Sequence, residues 1–316
     1  MQQDSSSVCP VCNGGGRYAF SGRDLMFEGD RTFTYHRCLA CDLIYQHPLP
    51  GYEEIAGFYP PSYVVYRDPS RVAFSPAELG ILKRELGYAH LAVPAKAGLR
   101  DRLSARRMVA DVVPWVSGGS VLDVGCGNGE YLLRLRSIGW RCQGVEFNDK
   151  AVGICRAQGL QVFHGDLESA GLESESFDLV TAHHLIEHVP DPHQLMSEIA
   201  RVTKPGGTVL IRTPNSRSLG RAWFGTWWYA NDAPRHLYLY SAANLRMLAA
   251  RQGLELTRLD TPVKPKLVLQ SLDYRLGNRG TPSKKRKLRK WLSKLYVPLA
   301  KATGRGDELF ALFRKT

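Results

Sequence analysis

A buried strand, a glycine-rich turn and a helix follow one another in the segment "GGSVLDVGCGNGEYLLRLRSIGW". Val121, Leu122 and Val124 have the continuous apolar character of a buried strand, and the leucines of "YLLRLR" recur at helical spacing. Gly125 and Gly127 stand in the turn, where the lack of a Cβ lets the backbone approach a ligand closely. This order of elements predicts an α/β domain with a ligand site at the end of its first strand.

Further strands and helices alternate after this turn. "CQGVEFNDK" is typical of a second strand ending in Glu146, and "VFHGDLES" is typical of a third strand. A fourth strand, "FDLVTAHH", precedes the helix of "DPHQLMSEIARVT", and "KPGGTVLIRTPN" contains a turn and a fifth strand. The alternation predicts a parallel, doubly wound sheet. Glu146 lies 19 residues after Gly127, where a carboxylate suits the two hydroxyls of a ribose.

Taken together, "VLDVGCGNG", Glu146, "GDL", "LIEHVPDP" and "KPGG" resemble the class I S-adenosylmethionine-dependent methyltransferases. The resemblance covers roughly residues 118–261 and resumes in "GRGDELFALFRK", which is similar to the last strand of that family. It implies a Rossmann-like seven-stranded sheet in which the final strand is inserted antiparallel. A dehydrogenase is disfavoured, because the third glycine of G-x-G-x-x-G is absent.

The resemblance also implies which residues hold S-adenosylmethionine. Two of them have ordinary alternatives, since Leu167 suits core packing and Asp166 suits a helix N-cap. The implied contacts are Asp123, Gly125 and Gly127 around the methionine part, Glu146 at the ribose, Asp166 and Leu167 at the adenine, and His183 after the fourth strand.

Residues 183–188, "HHLIEH", also fit H-x-x-E-H, a zinc-protease spacing. Their place after the fourth strand argues against a protease, which would need another fold and a third ligand. One of His183 and His184 is expected to contact cofactor or substrate. His184 and His188 are both catalytic candidates, and the alternative role of His188 is helix-start packing. The segment also resembles the E-x-x-E-H of ubiquinone-pathway and small-RNA methyltransferases, which bind a divalent ion. Here His184 replaces the first glutamate, which disfavours an ion beside Glu187.

Two CxxC pairs precede this domain, separated by 25 residues. Each pair can form a tight turn, and the four thiolates can then surround one zinc ion tetrahedrally. The alternating aromatic and polar residues between the pairs predict a hairpin, so residues 1–50 are expected to form a zinc ribbon. A four-thiolate site leaves no position for water, which indicates a structural zinc. The predicted ligands are Cys9, Cys12, Cys38 and Cys41, whereas Cys126, Cys142 and Cys155 are expected to be core thiols.

An aromatic-rich segment, "SRSLGRAWFGTWWYANDAPRHLYLYS", follows the fifth strand. Its rings are expected either to stack on a sugar or other ring of the acceptor, or to form a packed cap that supports the ribbon. "DAPRHLYLYS" resembles the P-R-H-L segment of bacterial methyltransferases that act on saccharides or natural-product intermediates. His236 is therefore the leading candidate for a general base, with loop support as its alternative.

The net charge of +12 is concentrated in residues 262–305, which hold 13 Lys or Arg and one acid, Asp273. Within it, residues 284–301 predict a basic amphipathic helix that includes Trp291 and Leu295. Such a helix suits an anionic membrane surface. Nucleic-acid phosphates and a solvated edge helix docked on the domain are the alternatives.

The sequence thus predicts four parts: residues 1–50, the zinc ribbon; 51–117, a connector with a helix leading into the next domain; 118–261 with 306–316, the methyltransferase domain; and 262–305, the basic insertion. The N-terminus has no secretory pattern and no run of eighteen apolar residues occurs, so a cytoplasmic protein is expected, with a peripheral place at the inner membrane as the alternative.

The predicted reaction is methyl transfer to a hydroxyl of a saccharide or natural-product-like small molecule, with a lipid-linked acceptor included. Sugar C-methylation and rRNA methylation are the enzymatic alternatives. A ribbon that binds partners on an inactive methyltransferase is the non-enzymatic one, although Gly125, Gly127, Glu146 and Asp166 argue for an active site. The oligomeric state is not predicted.

Overall fold

A computed structural model gives the structure of the chain. The predicted helix before residue 117 and the start of the predicted basic helix at 284 fall partly outside the described residues. The structure describes residues 7–27, 29–60, 67–70, 72–93, 105–106, 108–277 and 286–316.

Strands account for two sheets in the described part of the chain. The first five precede the glycine-rich turn, and the other seven follow it. The strands are β1 (Ser7–Val8), β2 (Gly15–Arg23), β3 (Thr32–Cys38), β4 (Ile44–Gln46), β5 (Ser120–Val124), β6 (Arg141–Glu146), β7 (Gln161–His164), β8 (Phe177–His183), β9 (Thr203–Pro214), β10 (Tyr238–Leu239), β11 (Leu254–Asp260) and β12 (Glu308–Lys315).

The helices are short except for the last one, which includes residues 286–301 of the predicted basic helix. No helix in the described ranges has the length and apolar character needed to cross a membrane. The helices are α1 (Tyr52–Gly57), α2 (Pro76–Glu85), α3 (Glu130–Ser137), α4 (Asp149–Ala157), α5 (Pro192–Val202), α6 (Leu219–Phe224), α7 (Ala242–Ala250), α8 (Pro265–Arg275) and α9 (Arg286–Ala302).

The larger sheet has seven strands in the order β11-β12-β9-β8-β5-β6-β7. β5, β6 and β7 pair in parallel, and all five residues of β5 are buried, as expected for a strand covered on both faces. β12 pairs antiparallel with β11, with Leu254 opposite Lys315. The predicted Rossmann-like fold with a reversed final strand is therefore confirmed.

The chain separates into two compact units, which are described individually below. We call them the donor unit, which contains the glycine-rich turn, and the acceptor unit, which contains the ribbon. The predicted domain boundaries follow the motifs and stay predictions. The donor unit is Val64–Thr181 with Arg201–Thr208, and the acceptor unit is Met1–Tyr63 with Ala182–Ala200 and Val209–Thr316.

The smaller sheet lies in the acceptor unit and has the order β1-β2-β3-β4-β10. β2 and β3 form the antiparallel hairpin that the ribbon sequence predicts. Its last strand, β10, comes from the aromatic segment far along the chain, and it pairs antiparallel with β4 through Tyr238 opposite Tyr45. The ribbon and the aromatic segment therefore share one sheet.

One hydrophobic core joins the ribbon, the aromatic segment and the helices α8 and α9. Phe224 and Trp228 of the aromatic segment are buried in this core, and Trp223 and Trp227 pack against it. Tyr240 is fully buried as well. The structure thus decides between the two predictions for this segment: these rings form a packed cap, and the expectation that they stack on the acceptor is wrong for the buried ones.

Candidate functional site

The turn after β5 depends on glycine. Gly125, Gly127 and Gly129 have φ angles of 71°, 55° and 75°, in the left-handed region that side chains rarely adopt. A Cβ at Gly127 would meet no atom within 4 Å, so the turn borders open space. A Cβ at Gly129 would approach Leu160 Cδ1 to 2.5 Å, so that position is needed for packing. The turn fits a ligand that lies against its backbone.

Two carboxyl groups of the donor unit lie beside this turn. Glu146 accepts hydrogen bonds from the amides of Gly127 and Asn148, both at 2.8 Å. Asp123 accepts a 2.6 Å hydrogen bond from Thr181 Oγ1. Burial raises the pKa of Asp123 to about 7, against the effect of the Thr181 bond and with a further contribution from the charge of Glu146. A cationic ligand beside such a buried carboxyl would favour its charged form.

The two residues predicted at the adenine have their alternative contacts in the structure. Asp166 Oδ1 accepts hydrogen bonds from the Ser169 hydroxyl at 2.6 Å and the Ser169 amide at 2.7 Å, which together lower the pKa of Asp166. Leu167 is buried. Asp166 thus caps the turn that follows it, and the contact of both residues with adenine stays a prediction.

In the acceptor unit, β8 ends at His183, and His184 follows with a φ of 51°. Burial lowers the pKa of His183 to about 3, which keeps its ring neutral. His184 Nδ1 lies 3.2 Å from Glu187 Oε1, and its Nε2 lies 3.6 Å from Glu308 Oε1. Although burial acts in the opposite direction, these two carboxylates raise the pKa of His184, and its 43% exposed ring is favoured as the cation. A cationic ring cannot accept a proton.

Glu187 joins three parts of the acceptor unit. Its Oε2 accepts a 2.9 Å hydrogen bond from Thr213 Oγ1 of β9, and its backbone carbonyl accepts one from the Leu237 amide at 2.7 Å. The side chain is fully buried, which by itself would raise its pKa. The bond from His184 and the nearby imidazoles reverse this effect and lower the pKa to about 2, so Glu187 is an anion.

His188 and His236 form a pair of rings, with centroids 4.6 Å apart and planes at 78°. His188 Nδ1 lies 3.0 Å from the Arg235 carbonyl and 2.9 Å from the Tyr59 hydroxyl. His236 Nδ1 lies 2.9 Å from the Ala230 carbonyl. Because a carbonyl only accepts, we assign a proton to Nδ1 of each ring, so that Nε2 is the ring nitrogen that can accept a further proton. Burial, followed by His236, lowers the pKa of His188 to about 4, so His188 is neutral.

Glu187, His188 and His236 each offer one ligand atom within 4.8 Å of the others. One carboxylate and two imidazoles form a donor set that suits a divalent transition metal, and metal-bound histidines commonly donate their other N–H to a carbonyl as these do. His184, the residue that disfavoured an ion in the sequence, is not among the three. The sequence placed Glu187 and His188 together but gave no sign that His236 joins them.

Arg235 links the histidine pair to the ribbon, and sequence reasoning missed it. Its side chain is completely buried. The guanidinium donates to both oxygens of Asp24, at 2.7 and 3.0 Å, and to Asp232 at 2.6 Å. Asp24 follows β2 at the tip of the ribbon hairpin. A charged pattern in "NDAPRH" was visible in the sequence, but nothing in it indicated Asp24 as the partner.

The ribbon cysteines converge in two matching turns. After each pair, the next residue takes a left-handed conformation, Asn13 at 61° and Asp42 at 64°, and its amide bonds back to the carbonyl of the first cysteine. Amides also point at the sulfurs, with Gly14 and Ala40 each 3.4 Å from one Sγ. The four sulfurs that lie within 4.8 Å of one another are those of Cys9, Cys12, Cys38 and Cys41.

Comparison with known proteins agrees with this geometry. Residues 96–259, about half of the chain, match the family model described as "Methyltransferase domain". The chain belongs to this methyltransferase family. It is an enzyme that uses S-adenosylmethionine as methyl donor. The left-handed glycine turn and the buried Asp123 carboxyl fit a cationic cofactor, and the contact of Asp123 and Glu146 with it stays a prediction.

Similar proteins include two named ubiquinone biosynthesis O-methyltransferase. That of Thiobacillus denitrificans is 31% identical over 160 residues, which are 46% of this chain and 68% of that protein. That of Methylococcus capsulatus is 35% identical over 111 residues, 33% of this chain and 46% of that protein. The methyltransferase also resembles a chain in the complex of the Haloferax volcanii Trm112 methyltransferase activator with a methyltransferase (TM-score 0.50, 20% identity, 75% of this chain and 93% of that one). The last similarity shows the fold alone.

The raised pKa of Asp123 predicts pH-dependent cofactor binding. If the carboxylate contacts the cationic methionine part of S-adenosylmethionine, binding must release the proton of Asp123. Affinity is then greatest above pH about 7 and falls as the pH is lowered through that value. Isothermal titration calorimetry over a pH series measures this, and Asp123→Asn should remove the dependence on pH. If the affinity of both proteins depended equally on pH, Asp123 would not be the group that loses its proton when the cofactor binds.

The Arg235–Asp24 pair predicts a large loss of stability in one variant. Asp24→Ala leaves a buried guanidinium without its bidentate partner, which should lower the free energy of unfolding by about 3 kcal/mol. Urea unfolding followed by tryptophan fluorescence measures it. Glu54→Ala, which breaks a solvent-exposed pair with Arg31, is the matched control and should cost about 1 kcal/mol or less.

The same ion pair also makes the stability of the fold depend on pH. Burial would raise the pKa of Asp24, but the bonds from Arg235 prevail and lower it. The stabilisation from Asp24 is therefore present above the pKa of an unfolded aspartate and is lost as the pH falls through the lowered value. An Asp24→Ala protein as stable as the parent at neutral pH would show that the pair contributes nothing.

Proposed function

We propose that this methyltransferase acts on a hydroxyl group of a ring-bearing small molecule. The observation that carries the proposal is the histidine pair His188 and His236, whose Nδ1 atoms each lie within hydrogen-bond distance of a backbone carbonyl, which assigns Nε2 as the atom available to accept a proton. The names of the similar O-methyltransferases support an oxygen acceptor. They also favour a lipid-linked ring over the saccharide that the P-R-H-L resemblance suggested, and we rank the saccharide second.

S-adenosylmethionine supplies an electrophilic methyl carbon on its sulfonium. The role of the chain is to orient the acceptor and remove its proton as the C–O bond forms and the S–C bond breaks. His236 Nε2 takes this proton in our proposal, and His188 is the alternative base. The anionic Glu187 then stabilises the imidazolium that results, and the carbonyl bond at Nδ1 keeps the ring oriented.

His184 serves a different purpose in this scheme. Its contacts with Glu187 and Glu308 favour the cation, so it is unsuited to be the base. We propose instead that it positions the Glu187 carboxylate against Thr213 and the histidine pair.

The ribbon is proposed to hold a structural zinc. A tetrahedral site with Zn–S bonds of about 2.3 Å needs sulfurs about 3.8 Å apart. The Sγ atoms of Cys9 and Cys41 lie 3.7 Å apart, and those of Cys12 and Cys38 lie 3.3 Å apart, which is close to that requirement. The ion would stabilise the hairpin that supplies Tyr35, whose hydroxyl donates to the His236 carbonyl at 3.0 Å. Zinc therefore supports the base without contacting it.

The proposed base is tested by substitution. His236→Ala should lower turnover about 10²-fold or more while the affinity for S-adenosylmethionine stays unchanged. His188→Ala tests the alternative base in the same way. Transfer of labelled methyl measures turnover, and His90→Ala is the control, since His90 also bonds a backbone carbonyl but belongs to the donor unit. Full activity in both His188 and His236 variants would remove the pair from the mechanism.

The acceptor is found by following the labelled methyl from S-adenosylmethionine into fractions of a bacterial extract. We expect label in an organic-soluble ring compound, and a product spectrum with a methyl ether carbon. A new carbon–methyl bond would instead support the C-methyl alternative. RNase-sensitive label would contradict a small-molecule acceptor altogether.

The zinc proposal predicts a specific pattern of loss. Cys12→Ser should abolish stoichiometric zinc, measured by inductively coupled plasma mass spectrometry, and should lower turnover. Binding of S-adenosylmethionine should persist, because Asp123 and Glu146 belong to the other unit. Cys142→Ser, which changes a cysteine outside the ribbon, should keep the metal. Zinc-free parent protein with normal turnover would refute the supporting role.

A further inference from the structure

Helix α9 has one face fixed in the protein core. Leu292, Tyr296 and Ala300 are buried in the core that joins the ribbon, the aromatic segment and the two helices of the basic insertion. The Tyr296 hydroxyl also donates to Asp307 and accepts from the Gly220 amide. The helix is therefore held in one orientation, and its residues outside this buried face lie at the surface.

The solvent face of α9 carries a hydrophobic stripe. Trp291, Leu295 and Leu299 are 59%, 45% and 40% exposed. They are spaced four residues apart, so they lie in one row along the helix. Scattered apolar residues on a surface need no explanation, but an aligned row containing a tryptophan indicates an interaction surface. We call these three residues the α9 stripe.

Positive charge adjoins the stripe. Lys294 and Lys301 are exposed and lie seven residues apart on α9, next to the stripe at helical spacing. The one acid of residues 262–305, Asp273, is already paired with Arg289, so it does not neutralise these lysines. Lys294 and Lys301 therefore give the surface beside the stripe a positive charge.

We propose that α9 docks on an anionic phospholipid surface. Trp291, Leu295 and Leu299 would enter the boundary between headgroups and acyl chains, and Lys294 and Lys301 would lie at lipid phosphates. An amphipathic helix with lysines on one side and Trp and Leu on the other is suited to this interface.

Charge and hydrophobicity together select this partner. Nucleic acid would satisfy the lysines, but its phosphates offer nothing to an exposed row of apolar side chains. A second copy of the chain could cover the stripe, but it would bring two cationic surfaces together. An anionic bilayer complements both features. The inference concerns binding only and does not depend on the proposed acceptor.

Vesicle sedimentation tests the proposal with the full-length protein and no substrate. Binding should be weak to phosphatidylcholine vesicles and strong when part of that lipid is replaced by phosphatidylglycerol. Trp291→Ser combined with Leu295→Ser should lower the partition coefficient about tenfold or more. Leu299→Ser should lower it by a smaller factor. Leu259→Ser, which alters a leucine of β11 with 38% exposure, is the matched control and should bind like the parent.

Fluorescence reports on insertion itself. Anionic vesicles should shift tryptophan emission to shorter wavelength, and this shift should be largely lost in Trp291→Phe while sedimentation persists. Equal binding to both vesicle types, or undiminished binding of the double variant, would overturn the proposal. Two results in a protein that does not bind vesicles would also overturn it. One is RNA binding that persists after the Leu295 change, and the other is reversible dimerisation that the double variant abolishes.

Discussion

The buried ion cluster of Arg235 with Asp24 and Asp232 is the interaction on which the acceptor unit depends. A guanidinium removed from water is tolerated only when carboxylates surround it, and here one of them comes from the tip of the ribbon hairpin. The same arginine supplies the carbonyl that orients His188, and His236 is the next residue. Ribbon and histidine pair are consequently one structural assembly, because neither side of the cluster can be removed without leaving a buried charge.

This arrangement makes the ribbon an integral part of the acceptor unit, which its cysteines alone do not show. A ribbon with paired cysteine turns is often pictured as a separate module attached to an enzyme. Here its sheet continues into β10 of the aromatic segment, and its core is shared with α8 and α9. Most aromatic rings of that segment, which in the sequence suggested a stacking surface, are packed in this core. The groups that we propose for the chemistry are the imidazoles, with Glu187 beside them.

Three neighbouring histidines differ because their surroundings differ. His184 lies between two carboxylates and is favoured as a cation, whereas burial keeps His183 and His188 neutral. Residues of one type, adjacent in the chain, are thus separated into a positioning cation and a potential proton acceptor. The division follows from burial and from the positions of Glu187 and Glu308, and not from the histidines themselves.

The sequence by itself determined the Rossmann-like sheet, the glycine-rich turn with Glu146, and the paired cysteine turns. Each of these depends on periodicity or spacing within a short segment, which is local information. Only the tertiary structure decided that His236 meets His188, that Arg235 finds Asp24 at a distance of 211 residues along the chain, and that the aromatic segment is core. Such contacts join distant segments whose individual patterns do not specify a partner. Charge states belong to the same class, because burial and neighbours set the pKa of each group.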